Sequence, residues 1–150
     1  MKKIIAAAFL LLSSNFLFAQ IQNPVSWAAT SKKISDKTYE IHLVATINKG
    51  WHIYSQTTPE GGPIATSISF TKNPLLLFEG NTKEVGKLEQ KNEPLFGVDV
   101  KQFSNEVDFV QVVKLKANAN TAAKVAVEFM VCNDRQCLPP STKTFSLALK

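Results

Sequence analysis

Apolar residues recur at every second position through most of this chain, and that period constrains the fold more than any other feature. A period of two places alternate side chains on opposite faces of an extended strand, whereas a helix repeats its apolar face every three to four residues. In TYEIHLVATI, Tyr39, Ile41, Leu43, Ala45 and Ile47 share one face. In EVDFVQVVKL, Val107, Phe109, Val113 and Leu115 share another, with Gln111 as the odd member. AKVAVEFMV repeats the pattern through Ala123, Val125, Val127, Phe129 and Val131. Shorter candidates are VSWAAT, GWHIYS, ATSISF, LLLF, FGVDV and TFSLAL, and no stretch carries a helical stripe.

Turn-forming residues fall between these runs, at Asn48-Lys49-Gly50, Pro59 to Pro63, Glu79-Gly80-Asn81 and Asn118-Ala119-Asn120. Short strands punctuated in this way predict an all-β chain, a single antiparallel sandwich of immunoglobulin-like type, with a small barrel as the other solution. The polar segment Asn81–Pro94 reads as a long surface loop.

The N-terminus bounds where such a domain works. Lys2 and Lys3 precede the apolar run Ile4–Leu12, which is too short to span a bilayer, and small or apolar residues lead to Ala19. This is the layout of a signal peptide over residues 1–19, cut near Ala19, with residues 20–150 as one exported domain, periplasmic or secreted. No later run is apolar enough to insert the mature chain in a membrane. The formal charge of +5 includes the two leader lysines, and the remaining lysines are scattered with Arg135 as the sole arginine. That pattern argues against nucleic acid, which calls for clustered basic side chains.

Only two cysteines are present, Cys132 and Cys137, within FMVCNDRQCLPP. The strand VAVEFMVC leads in, and STKTFSLAL follows Pro139 and Pro140. If these pair as a hairpin, the cysteines face each other at a Cα separation of roughly 4.5–5.5 Å, which a disulfide accepts. In an exported protein such a pair is expected to be oxidised at least part of the time. A structural staple is one reading, although closing so short a loop removes little entropy from the unfolded chain. A redox centre is the other. Exchange needs one sulfur within reach of a partner thiolate and a second thiol to resolve the mixed disulfide, and a polar hairpin tip offers both. Arg135 would stabilise a thiolate there and Asp134 would oppose it. A zinc site would need two more ligands, and His42 and His52 match no compact zinc spacing. No metal or organic cofactor is expected.

The stretch VCNDRQCLPPSTKTFSLAL resembles the end of the N-terminal periplasmic domain of the thiol:disulfide interchange protein DsbD, where a cysteine pair at a hairpin precedes Pro-Pro and a last strand. NKGWHIYSQ and NEPLFG are similar, in the same order, to that family's glycine-aromatic strand and to its acidic-aromatic-glycine loop. The resemblance runs roughly from Val25 to Leu149 and implies an immunoglobulin-like domain that passes reducing equivalents to or from periplasmic oxidoreductases. It implies that Leu95 and Phe96 cap the Cys132–Cys137 pair, with ordinary core packing as their alternative role, and that His52 and Tyr54 lie on the strand near it. Cys137 would face the partner, as the second cysteine does in that family. The spacing of the pair is one residue shorter than in one well-known member of the family. The membrane-embedded and thioredoxin-like domains of full-length DsbD have no counterpart in the sequence, so the expected partners are thioredoxin-like periplasmic proteins and a separate membrane electron carrier. The competing expectation is a non-catalytic binding or structural domain with an inert bridge.

Overall fold

A computed structural model describes residues 22–150, so the expected signal peptide lies outside the described residues. Among those residues the structure is all strand. In chain order the elements are β1 (Val25–Ser35), β2 (Thr38–Ile47), β3 (His52–Tyr54), β4 (Ser67–Phe70), β5 (Leu76–Glu93), β6 (Val98–Leu115), β7 (Thr121–Phe129), β8 (Val131–Cys132) and β9 (Ser141–Leu149). The larger sheet joins β1, β2, β6, β3 and β8, with β5 also paired to β6; the smaller runs β4-β7-β9, and every pairing is antiparallel.

The two sheets pack face to face through the residues that the alternation selects. Tyr39, Ile41, Leu43, Ala45 and Ile47 of β2 are all buried, as are Val107, Phe109, Val113 and Leu115 of β6. Ala123, Val125, Val127 and Phe129 of β7 meet them from the smaller sheet, joined by Leu147 and Leu149 of β9. Trp27 of β1 stacks on Phe109 at 5.9 Å and tilts against Phe129 at 5.2 Å between ring centroids, bridging the sheets. Aromatic pairs at such distances add to the benefit of area burial.

Gln111 sits on this apolar face because of a defect in the neighbouring strand. Where a turn is expected at Glu79-Gly80-Asn81, β5 continues through a bulge: the register to β6 shifts between Glu79 and Lys83, and Gly80 has a φ of 64°. A bulge leaves ladder groups without their regular partner. The buried Gln111 amide donates 2.9 Å bonds to the Glu79 and Val112 carbonyls and accepts one from Thr82 Oγ1 at 2.9 Å.

The expected loop over Asn81–Pro94 is also a strand, the greater part of the 18-residue β5. It pairs with the equally long β6 from Leu76↔Leu115 to Glu93↔Val98. Its sequence hides this because β5 pairs on one side only and most of its length is half-buried or exposed. A strand without a covered face has no reason to alternate, and lysines such as Lys83, Lys87 and Lys91 suit an edge that must not pair with other chains. Along β6, Asn105 takes a φ of 68° where the strand exchanges β3 for β2 as its neighbour, a conformation that asparagine tolerates.

Candidate functional site

β7 and β9 form the expected hairpin, paired from Thr121↔Leu149 to Phe129↔Ser141. At Met130 the incoming chain leaves the smaller sheet, and Val131–Cys132 joins the larger one as β8, beside β3. The tip folds back on itself. Leu138 N–H donates to the Val131 carbonyl and Asn133 N–H to the Gln136 carbonyl, both at 2.9 Å, with Cys132 and Cys137 opposed between these bonds. Asn133 Oδ1 accepts from the backbone N–H groups of Arg135 and Gln136 at 2.9 Å each, fixing the turn with a side chain.

Cys132 and Cys137 form a disulfide with their Cα atoms 4.0 Å apart. The two sulfurs have different surroundings. Cys132 is fully buried with Tyr54 and Val100, and Val98, Met130 and Cys137 pack against that cluster. Cys137 is half-buried and leads through Leu138 into the exposed Pro139 and Pro140. Asp134 and Arg135 are exposed at the tip. Asp134 borders a cleft of about 220 Å³ with Trp51, His52, Glu93 and Gln102.

β3 sets two buried polar groups beside the pair, and the end of β5 adds a third. His52 lies opposite Cys132 in the ladder, and Tyr54 follows on the same face of the strand. Both reach Glu93, whose side chain is only 2% exposed. The Tyr54 hydroxyl donates to Glu93 Oε2 at 2.8 Å, and His52 Nε2 lies 3.0 Å from the same oxygen. An ionised carboxylate only accepts, so this contact selects the His52 tautomer protonated at Nε2. The His52 and Tyr54 rings meet edge to face at 5.3 Å. Burial, reinforced by the hydrogen bond to Glu93 and its negative charge, pushes the Tyr54 hydroxyl far above its usual range, so it remains a donor.

Glu93 also organises the loop that follows it. Its carbonyl accepts from Phe96 N–H at 3.1 Å and Gly97 N–H at 2.7 Å, and its Oε1 lies 3.4 Å from Leu95 N–H. Gly97 turns the chain at a φ of 67°. Leu95 and Phe96 are consequently held out from the loop, 46% and 40% exposed, so neither is a core residue. Glu93 is the group that the sequence reading misses. It stands in a polar run of lysines and glutamates, where nothing in the spacing marks one carboxylate as buried.

His42 is not part of this site; it lies on β2 with Nδ1 2.7 Å from Asp108. Among the described residues no group of three or more His, Cys, Asp or Glu is placed to hold a metal ion. What the tip offers chemically is one fully buried cysteine, one half-buried cysteine bonded to it, and a loop with two exposed apolar side chains anchored to the strand behind them.

The family described as thiol:disulfide interchange protein DsbD, N-terminal, matches residues 21–149. No curated protein matches. Among solved structures, the N-terminal periplasmic domain of ScsB from Proteus mirabilis is similar at 19% identity and a TM-score of 0.56, over 85% of this chain and 47% of that one. This chain thus spans about half the length of the ScsB chain. A chain in the complex between the DsbD N-terminal and the PilB N-terminal domains from Neisseria meningitidis is similar at 14% identity and a TM-score of 0.52, over 85% of this chain and 87% of that one. These likenesses concern the fold, an immunoglobulin-like antiparallel sandwich.

Proposed function

The chain belongs to the family of the N-terminal domain of the thiol:disulfide interchange protein DsbD, and from that premise we propose that it is an exported thiol–disulfide exchange protein. The observation that carries the reading is the disulfide at a hairpin tip, with Cys137 half-buried and Cys132 enclosed.

A partner thiolate attacks Cys137 Sγ. The Cys132–Cys137 bond breaks as the intermolecular bond forms, and Cys132 leaves as a thiolate. A second thiolate of the partner then attacks the partner sulfur of that bond and expels Cys137. Two electrons reach this protein, the partner becomes a disulfide, and two protons complete the Cys132 and Cys137 thiols. In the other direction the Cys137 thiolate attacks a partner disulfide and Cys132 resolves the adduct. No metal or organic cofactor takes part.

Leu95 and Phe96 act as the cap in this reading, shielding the pair from small thiols until a partner displaces them. Their exposure on a loop tied to Glu93 supports this, since such a loop can shift without dismantling the core. The partners are thioredoxin-like periplasmic proteins, with reducing equivalents from a separate membrane carrier. The complex with the PilB N-terminal domain, known for the Neisseria protein, supports that class of partner. The signal-like sequence of residues 1–19 supports export of the domain. The test is incubation of the folded, oxidised domain with a mild thiol. Reduction with the fold intact is expected; a bridge that yields only on unfolding would make this an immunoglobulin-like binding or structural domain with an inert staple.

A further inference from the structure

Gly62 lies in the segment between β3 and β4, and the exchange chemistry makes no use of it. Unlike Gly61, which has a φ of 93°, Gly62 is not in the left-handed region, so its backbone conformation does not demand glycine. Space does. A Cβ built on Gly62 would stand 2.6 Å from Val98 Cγ2 and 3.9 Å from Phe96 Cβ. The first distance is far inside carbon–carbon contact, and a β-branched side chain has few rotamers with which to withdraw its methyl.

The two residues that fill this notch frame the end of the cap loop. Phe96 is one of the cap residues, and Val98 packs against the Tyr54, Val100 and Cys132 cluster beneath it. The segment that carries Gly62 is anchored on both sides of it. Ser55 N–H donates to the Lys101 carbonyl at 2.9 Å, Lys101 N–H donates to Thr58 Oγ1 at 2.8 Å, and Thr66 Oγ1 donates to the Tyr54 carbonyl. Pro63, next to Gly62, is buried.

We infer that Gly62 is the seat of the cap: its missing side chain lets Val98 and Phe96 bed against an anchored wall, and this contact sets how closely the Glu93–Gly97 loop covers the disulfide. Gly62 is thus a positioning residue that governs thiol access, and the inference rests on the exchange reading. Any side chain at this position displaces Val98, and through Gly97 it displaces Phe96. Core complementarity of this kind is restored when volume is moved rather than added.

The experiment measures the rate at which dithiothreitol reduces the oxidised wild type, Gly62→Ala, Val98→Ala and the Gly62→Ala/Val98→Ala pair, with folding checked by circular dichroism. Each single variant is expected to be reduced at least fivefold faster than wild type. The pair returns toward the wild-type rate, because the added methyl fills part of the space left by the two that Val98→Ala removes. In a Leu95→Ala/Phe96→Ala background, Gly62→Ala adds no further acceleration, a result that general loosening of the fold would not give. Gly62→Ala at the wild-type rate, a pair as fast as either single variant, or full acceleration without the cap would each overturn the inference. Should Gly62→Ala not fold, Val98→Ala decides alone, and an unchanged rate overturns it. A folded wild type that dithiothreitol cannot reduce removes the exchange reading itself. A reducible wild type with an indifferent Gly62→Ala removes only the seat.

Discussion

Replacing Tyr54 by phenylalanine tests the polar anchor behind the disulfide with little change of shape. The ring, fully buried, stays in place, and only the hydroxyl that donates to Glu93 Oε2 at 2.8 Å is lost. A hydrogen bond to a charged acceptor is worth roughly 1.5–3 kcal/mol net, so the oxidised Tyr54→Phe protein is expected to be less stable by about 2 kcal/mol near neutral pH. The raised pKa of Tyr54 adds a pH-dependent signature. Burial first, then the bond to Glu93 and its charge, keep the native hydroxyl protonated well above its ordinary value of 10.0. A group raised on folding contributes its stability fully below the unfolded value and loses it as pH climbs from there toward the folded one. One unit above the unfolded value, at about pH 11, wild type has lost about 1.4 kcal/mol from this group. The phenylalanine variant has lost nothing from it. Urea titrations of both oxidised proteins at pH 8 and pH 11, without added thiol, give the difference directly, since all other ionisations cancel. It should fall from about 2 to below about 1 kcal/mol. A difference that is the same at both pH values, or absent at pH 8, refutes the assignment of Tyr54 as a buried donor to Glu93.

The cap makes its own prediction: Leu95→Ala/Phe96→Ala should be reduced by a small thiol about tenfold faster, a change of about 1.4 kcal/mol in shielding. Its urea midpoint should stay near wild type, because both side chains are substantially exposed; equal reduction rates would return the segment to a passive loop. For the sulfurs, Cys132→Ala expressed in the exported compartment should accumulate a mixed disulfide with a thioredoxin-like protein on acid-quenched non-reducing gels, and Cys137→Ala should not. The reverse pattern exchanges their roles, and no adduct from either folded variant favours the inert staple. Gln111→Leu should cost about 1–3 kcal/mol by urea titration, since it strands the Glu79 carbonyl that the bulge in β5 leaves to the Gln111 amide; an unchanged midpoint would mean water serves that carbonyl equally well.

The alternation that marked β2, β6 and β7 was legible because each has one face against the other sheet, and burial writes a period of two into such strands. The same physics concealed β5. An edge strand with little cover on either face carries no apolar period, so Asn81–Pro94 read as a loop and the bulge at Gly80 read as a turn. Gln111 was visible as an exception, yet its reason lay on the neighbouring strand. In the site, the cysteine hairpin could be placed from the residues, and the segment with Leu95 and Phe96 was singled out by the family resemblance. Glu93 could not be. Its burial depends on β6 pairing with both β5 and β3, which brings it to His52 and Tyr54, 41 and 39 residues earlier in the chain. The crossing of the chain at Met130 from one sheet to the other, which encloses Cys132, likewise has no local signal.

The most direct test of exchange at Cys132 and Cys137 is the reduction potential of the pair in the folded domain. The oxidised protein would be equilibrated in dithiothreitol and glutathione buffers of defined potential, its thiols trapped and counted, and its fold followed in parallel by circular dichroism. Structural bridges in secreted proteins lie below about −300 mV, beyond the reach of mild thiols. The account predicts a two-electron transition above about −300 mV with the sandwich intact on both sides of it. A pair that stays oxidised until the β-sheet signal is lost would contradict it.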